Sequence, residues 1–193
     1  MDSIARKKLL ILTAIEIIDD LGYQGLTIHE IAKRENITDA AIYKHFIDKN
    51  DLIKSVLDYY NDFFTNIIQS IEFENITAIE GIEKYISGFV ELYENYPNMT
   101  AILNSYELFR HENDLSKYIS NLFISRLTYL TKLIQKGIDH NEFSAEIKAE
   151  SLAYVMVGTM MSVTLSWRMQ NYSFSLTDKI QLITEQIKAK VIK

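Results

Sequence analysis

The chain has 193 residues, a net charge of −6, no cysteine and one proline, Pro97. The lack of cysteine excludes disulfides, thiolate zinc sites and cysteine nucleophiles, and it fits the reducing cytosol, so a cytoplasmic protein is expected. At this length a sizeable core can form in one domain or two small ones, and six glycines among abundant Leu, Ile, Lys, Glu and Ala suit helices throughout.

The first predicted helix spans 3–21, with Ile11, Ala14, Ile15 and Ile18 on one face and Gly22 in the C-cap position. Its start, Arg6-Lys7-Lys8 before an apolar run, looks briefly like a secretion signal. Glu16, Asp19 and Asp20 follow, and no small-x-small cleavage site does, so no leader is expected.

Three helix starts then crowd into 27–52. Thr27, Thr38 and Asp48 are predicted N-caps, since each offers a short side-chain oxygen to the free N–H groups of a first turn. Leu26 with Ile31, Ile37 with Ile42, and Ile47 with Leu52 have the spacing of hydrophobic staples, and Thr27 with Glu30 that of a capping box. The helix from Thr27 ends near Glu35, where Asn36 tolerates the left-handed backbone of a tight exit. The next helix, 38–46, begins two residues later, and two short helices joined so closely form a helix-turn-helix. Ala40 and Ala41 let its backbone approach base edges, and Tyr43, Lys44 and His45 can donate to phosphates or bases.

This stretch resembles the DNA-binding domain of the tetracycline-repressor (TetR) family. The resemblance lies in Gly22, Thr27, Ile31, Ala32, Ile37, Thr38, Ile42-Tyr43, His45-Phe46, Lys49 and Leu52, and it departs at Asn36, where the family often has Gly. It implies DNA contacts at Thr27, Thr38, Asp39, Ala40, Ala41, Tyr43, Lys44, His45 and Lys49. It also implies a homodimer on a palindromic double-stranded operator, repression, and a small-molecule effector. The expected fold is all-α with about nine helices. A DNA-binding domain over 1–47 precedes an effector-binding and dimerisation domain over 48–193, joined by a connector helix at 48–72.

Charge alone does not announce nucleic acid, for residues 1–50 carry seven Lys or Arg against eight Asp or Glu. Placement matters more, and the basic groups (Arg6, Lys7, Lys8, Lys33, Arg34, Lys44, Lys49) are expected on one face.

Beyond the connector, helices are predicted over 77–95, 97–111 with Pro97 at its first position, 115–140, 149–171 and 176–192. The longest uncharged run, 151–167, holds five Ser or Thr and reads as a buried helix, so no membrane span is expected. That helix is apolar on two faces, and a second copy of the chain is the economical cover for one of them. By the resemblance, the last two helices form the dimer seam, with Ala153, Val157, Met161, Leu165, Ile183 and Ile187 as candidates. Gly137, Glu142-Phe143, Ala149, Leu152-Ala153 and Gly158 echo the family's spacing there.

Met and aromatic side chains can line an apolar effector pocket. The candidates are Phe89, Tyr93, Met99, Leu103, Tyr106, Phe123, Met156, Met160 and Trp167, and they favour a hydrophobic effector. No nucleophile elbow, phosphate loop or metal-binding His motif occurs, so neither enzyme activity, metal nor cofactor is expected. The alternative is an effector-independent, DNA-bound architectural or partner-binding module on the same fold.

Overall fold

The computed structural model describes residues 2–103 and 105–191. They form nine α-helices and one 3-10 helix, with no strand among them. The order is α1 (Ser3–Gly25), α2 (Ile28–Arg34), α3 (Asp39–Ile42), α4 (Lys49–Glu74), α5 (Ala78–Asn95), the 3-10 helix Pro97–Ile102, α6 (Ser105–Phe109), α7 (Asn113–Asp139), α8 (Ala149–Met169) and α9 (Leu176–Val191). Two compact units result, one of residues 1–62 with 98–119 and one of 63–97 with 120–193. Both α4 and α7 therefore begin in the first unit and end in the second.

In the first unit α1 packs on α2 and α2 on α3. The predicted face of α1 is buried, joined by Leu10 and Ile17. Gly22 stops the regular helix with φ +68°, where a side chain would be strained, and a short turn completes α1. Thr27 caps α2 by accepting the Glu30 N–H at 3.0 Å. The Glu30 carboxylate turns to Arg34 and Lys33 instead of closing the predicted box. Asn36 takes φ +51° as its position requires. The buried Thr13 hydroxyl donates to Glu35, tying α1 to the end of α2.

Other predictions in this unit are corrected as well. The third helix is one turn long, and residues 43–45 continue as a turn with the His45 N–H on the Ile42 carbonyl. Thr38 stands at the N-cap without a side-chain cap bond. Ile47 does not staple to Leu52, because it is 86% exposed while Leu52 is fully buried. The approach to α4 is set by carboxylates instead: Asp48 accepts the Asp51 N–H at 2.8 Å, and Asp51 accepts the Ile47 N–H at 2.9 Å. The segment predicted as one helix over 97–111 breaks into the 3-10 helix and α6, in a sequence whose Thr and Asn residues favour turns over helix interiors.

In the second unit α9 packs on α5 and α8. Thr77 and Glu80 form a complete capping box at the start of α5. Glu142, in the loop before α8, adds a second cap by accepting the N–H groups of Ala78 and Ile79 at 3.1 and 3.0 Å. Gly137 is required there, because an added Cβ would stand 2.3 Å from the Phe143 ring. The residues that echo the family around 137–143 thus have a packing reason. The predicted end of the last helix, Ile192, lies outside the described residues. No helix among the described residues is long and apolar enough to cross a membrane.

Candidate nucleic-acid interface and effector cavity

The sequence places small and polar residues on one short helix, and the fold leaves them accessible. Thr27, Thr38, Asp39, Ala40, Tyr43 and Lys44 are exposed, while Ala41, His45 and Lys49 are half-buried. Tyr43 is 54% exposed, beside the fully buried Ile42 and Phe46, which anchor the turn beneath it. A large aromatic held outward by buried neighbours is suited to a flat external partner. His29 on α2 lies 3.4 Å from the Asp39 carboxylate, against the one acid of α3.

Most cations of the first fifty residues are already engaged. Arg34 pairs with Asp20 at 2.8 Å and with Glu30 at 3.4 Å, Lys33 with Glu30 at 3.5 Å, and Arg6 with Glu35 at 3.7 Å. Lys7 and Lys8 lie over the rings of Phe46 and Tyr59. Lys49, the first residue of α4, lies over the Tyr23 ring with 4.4 Å between its Nζ and the ring centroid. Burial holds the Lys49 ammonium below the usual lysine range, against the pull of the Glu112 carboxylate. Burial, then the charge and hydrogen bond of Glu112, push the Tyr23 phenol up to about 12.

The second unit holds an apolar cavity between α5, α8 and α9. Its walls include Ile79, Ile82 and Ile86 of α5, Phe143 of the preceding loop, Leu152, Met156 and Met160 of α8, and Ile180 and Ile187 of α9. Its volume is about 40 Å³, room for one or two waters and far short of a ligand. Glu83 and Lys188 form an ion pair across α5 and α9 and border both this cavity and a wider groove of about 450 Å³.

Of the predicted pocket residues, the structure brings only Met156 and Met160 to this cavity. Phe89, Tyr93 and Trp167 are buried core: Phe89 and Tyr93 meet edge to face, and the Trp167 indole donates to the Phe174 carbonyl at 2.7 Å. Met99, buried, and Leu103, half-buried, belong to the first unit, as does the exposed Tyr106. Phe123 points outward from α7. The lining that sequence reading missed is aliphatic, on α5 and α9, where the apolar spacing of Ile79, Ile82 and Ile86 was its signal.

The predicted seam residues differ in exposure. Ala153 is 0% exposed and faces its own unit, Val157, Met161 and Ile183 are half-buried, and Ile187 lines the cavity. The outward apolar residues of α8 are Tyr154, Val155, Leu165 and Met169, with exposed Gly158 among them and Leu182 exposed on α9. They recur at helical spacing, so one face of α8 is apolar toward solvent.

A helix-turn-helix ahead of a second, all-helical unit defines a class of DNA-binding regulator. Residues 10–56 match the profile of the bacterial regulatory proteins of the tetR family, and residues 57–189 match that of the YsiA-like protein C-terminal region. The chain belongs to the TetR family of transcriptional regulators. It is 25% identical over 164 residues to the fatty acid metabolism regulator protein of Bacillus subtilis, covering 84% of each chain. Its fold is similar to that of the fatty acid degradation regulator FadR from Bacillus halodurans, with a TM-score of 0.83, 20% identity and 94% of each chain covered. It is also similar to FadR from Bacillus subtilis solved in complex with stearoyl-CoA, with a TM-score of 0.79, 23% identity, and 92% of this chain and 95% of that one covered.

Proposed function

We propose that the protein is a cytoplasmic, homodimeric repressor that binds a palindromic operator through α3 and its flanks and releases it when a hydrophobic effector occupies the second unit. Functionally the chain then divides into a DNA-binding domain over 1–47 and an effector-binding and dimerisation domain over 48–193, with 48–72 as the lever between them. The observation that carries the DNA reading is the exposed Tyr43-Lys44 pair beside Ala40, held outward by buried Ile42 and Phe46. DNA contacts are assigned to Thr27, Thr38, Asp39, Ala40, Ala41, Tyr43, Lys44, His45 and Lys49. The dimer seam is assigned to the outward face of α8 with α9, where Val157, Met161 and Leu165 of the sequence prediction are retained beside Tyr154, Val155 and Met169.

For the effector, the support is the aliphatic and Met lining of the α5/α8/α9 cavity, together with the stearoyl-CoA carried by the Bacillus subtilis FadR structure. Met156 and Met160 are the adaptable walls, since an unbranched thioether repacks at little cost. An effector that binds better to a conformation whose two α3 helices are wrongly spaced for the operator must weaken DNA binding by the same coupling energy, typically about 1–3 kcal/mol.

The test is release of labelled operator by a series of acyl-CoA thioesters. Release that strengthens with chain length supports the reading, and operator binding indifferent to every acyl chain contradicts the proposed effector class. The small volume favours a second reading, a solid core with no effector, for which no apolar ligand raises the melting temperature.

A further inference from the structure

The first unit contains an ion-and-ring cluster that the helix-turn-helix itself does not need. Tyr23, in the turn after Gly22, donates its hydroxyl to the Glu112 carboxylate at 3.3 Å. Phe109, at the end of α6, meets the Tyr23 ring edge to face at 4.6 Å. The Lys49 ammonium lies on that same ring at 4.4 Å. The α6–α7 corner therefore holds Tyr23 by two contacts, and Tyr23 in turn holds the first cation of α4. Of the other carboxylates on the groove that Glu112 lines, Asp48 and Asp51 accept backbone N–H groups at the start of α4, and Asp114 is exposed. Glu112 is the acid whose charge acts on Lys49.

A lysine at the N-terminus of a long helix is well placed for a backbone phosphate, where the helix dipole also favours an anion. Lys49 is instead folded back, half-buried on an aromatic face. We propose that Glu112 is a positioning residue for DNA binding: its carboxylate, held by the Tyr23 hydroxyl, stands in for a DNA phosphate and restrains Lys49 on the Tyr23 ring, so that it lowers operator affinity from within the chain. The proposal rests on reading Lys49 as a phosphate contact. To reach DNA, Lys49 must leave the Tyr23 face and the field of Glu112, and the α6–α7 corner sets how readily it does so. Any change that withdraws Glu112 raises affinity, and any change that presses it closer lowers affinity.

The test is a double-mutant cycle on the full chain, read by fluorescence anisotropy with the duplex that the wild-type protein selects from random DNA. Glu112→Gln keeps an acceptor for the Tyr23 hydroxyl and removes only the charge. It is expected to bind roughly fivefold tighter, the scale of one exposed charge pair. Lys49→Met is expected to weaken binding and to reduce the salt slope by about 0.9, the loss of one phosphate contact. In the Lys49→Met background the Glu112 substitution is expected to change affinity by less than about twofold. Asp114→Asn, removing an exposed carboxylate two residues on, serves as the control for general repulsion of DNA and is expected to change little. Tyr23→Phe keeps the ring and removes the hydroxyl that fixes Glu112, and is expected to change affinity only where Lys49 is present, even if the Gln variant folds poorly.

Equal gains from Glu112→Gln with and without Lys49, or an equal gain from Asp114→Asn, overturn the proposal, since the carboxylate then acts on DNA at large. Wild-type affinity in both Glu112→Gln and Tyr23→Phe overturns it as well. If Lys49→Met alone leaves affinity and salt slope unchanged, the phosphate-contact reading fails first and the proposal falls with it.

Discussion

The Thr13 hydroxyl, buried within α1, donates to the Glu35 carboxylate that ends α2, 22 residues further along the chain. The same oxygen lies 3.1 Å from the Leu9 carbonyl of its own helix, so its single proton is shared between α1 and the end of α2. Thr13→Val keeps the shape and removes the donor, leaving a part-buried carboxylate short of a partner. It is expected to destabilise the first unit by about 1–2 kcal/mol, read by urea unfolding. A midpoint equal to wild type contradicts the role given to this bond.

For the helix-turn-helix, Tyr43→Ala and Lys44→Ala are each expected to weaken operator binding while the dimer survives. Neither side chain supports the core, since both are exposed. If Lys44 meets a phosphate, its loss lowers the slope of log affinity against log salt by about 0.9. Unchanged affinity in both variants removes α3 from the interface.

In the second unit, Gly137→Ala sets a methyl group 2.3 Å from the Phe143 ring and 2.9 Å from the Ala78 side chain. Relief requires Phe143 to move, and Phe143 is a wall of the apolar cavity. The expected cost is about 1–3 kcal/mol of stability, the usual range for overpacking. Thermal melts of the variant check it, and a melting temperature within error of wild type contradicts the packing described.

The apolar outer face of α8 is the assigned seam. Leu165→Arg is expected to give a monomer in sedimentation velocity, because a charge buried without a partner opposes association. Ala153→Ser, inside the fold, is expected to leave association unchanged. A persistent Leu165→Arg dimer means that the seam lies elsewhere.

The alkaline limit of stability carries a signature of the Tyr23 cluster. Its phenol is raised from 10.0 to about 12, chiefly by burial, so the folded state retains a proton that the unfolded chain releases. The stability this gives is complete below pH 10 and fades as pH rises toward 12. Tyr118, raised to about 12 by burial and its bond to Asp58, acts in the same sense. Tyr23→Phe is expected to flatten part of the loss between those values, measured by urea unfolding at stepped pH. An unchanged profile contradicts the burial assigned to Tyr23.

Local chemistry made much of the fold legible from sequence. Gly22, Thr27 and Asn36 each dictate a backbone event within their own few residues, and all three occur as read. Ile47 misled because the staple spacing is a pattern, and two aspartates fix the same turn by hydrogen bonds instead. The cavity was hidden for a different reason. Aromatic residues such as Tyr93 and Trp167 have the chemistry of a pocket, yet tertiary packing buries them in the core and leaves aliphatic Ile79 and Ile82 to line the space. Ala153 is small and apolar like a seam residue, but the turn of α8 that decides which face looks outward depends on α9 and α5, whose placement no local spacing encodes.

The most direct measurement is selection of binding sites from random duplex DNA with the full-length protein, followed by reading their symmetry. A dimer reading with two α3 helices is expected to enrich an inverted repeat whose half-site centres lie one helical turn, about 34–36 Å, or a multiple apart. Recovery of no enriched sequence at moderate salt, or of sites without two-fold symmetry, contradicts it.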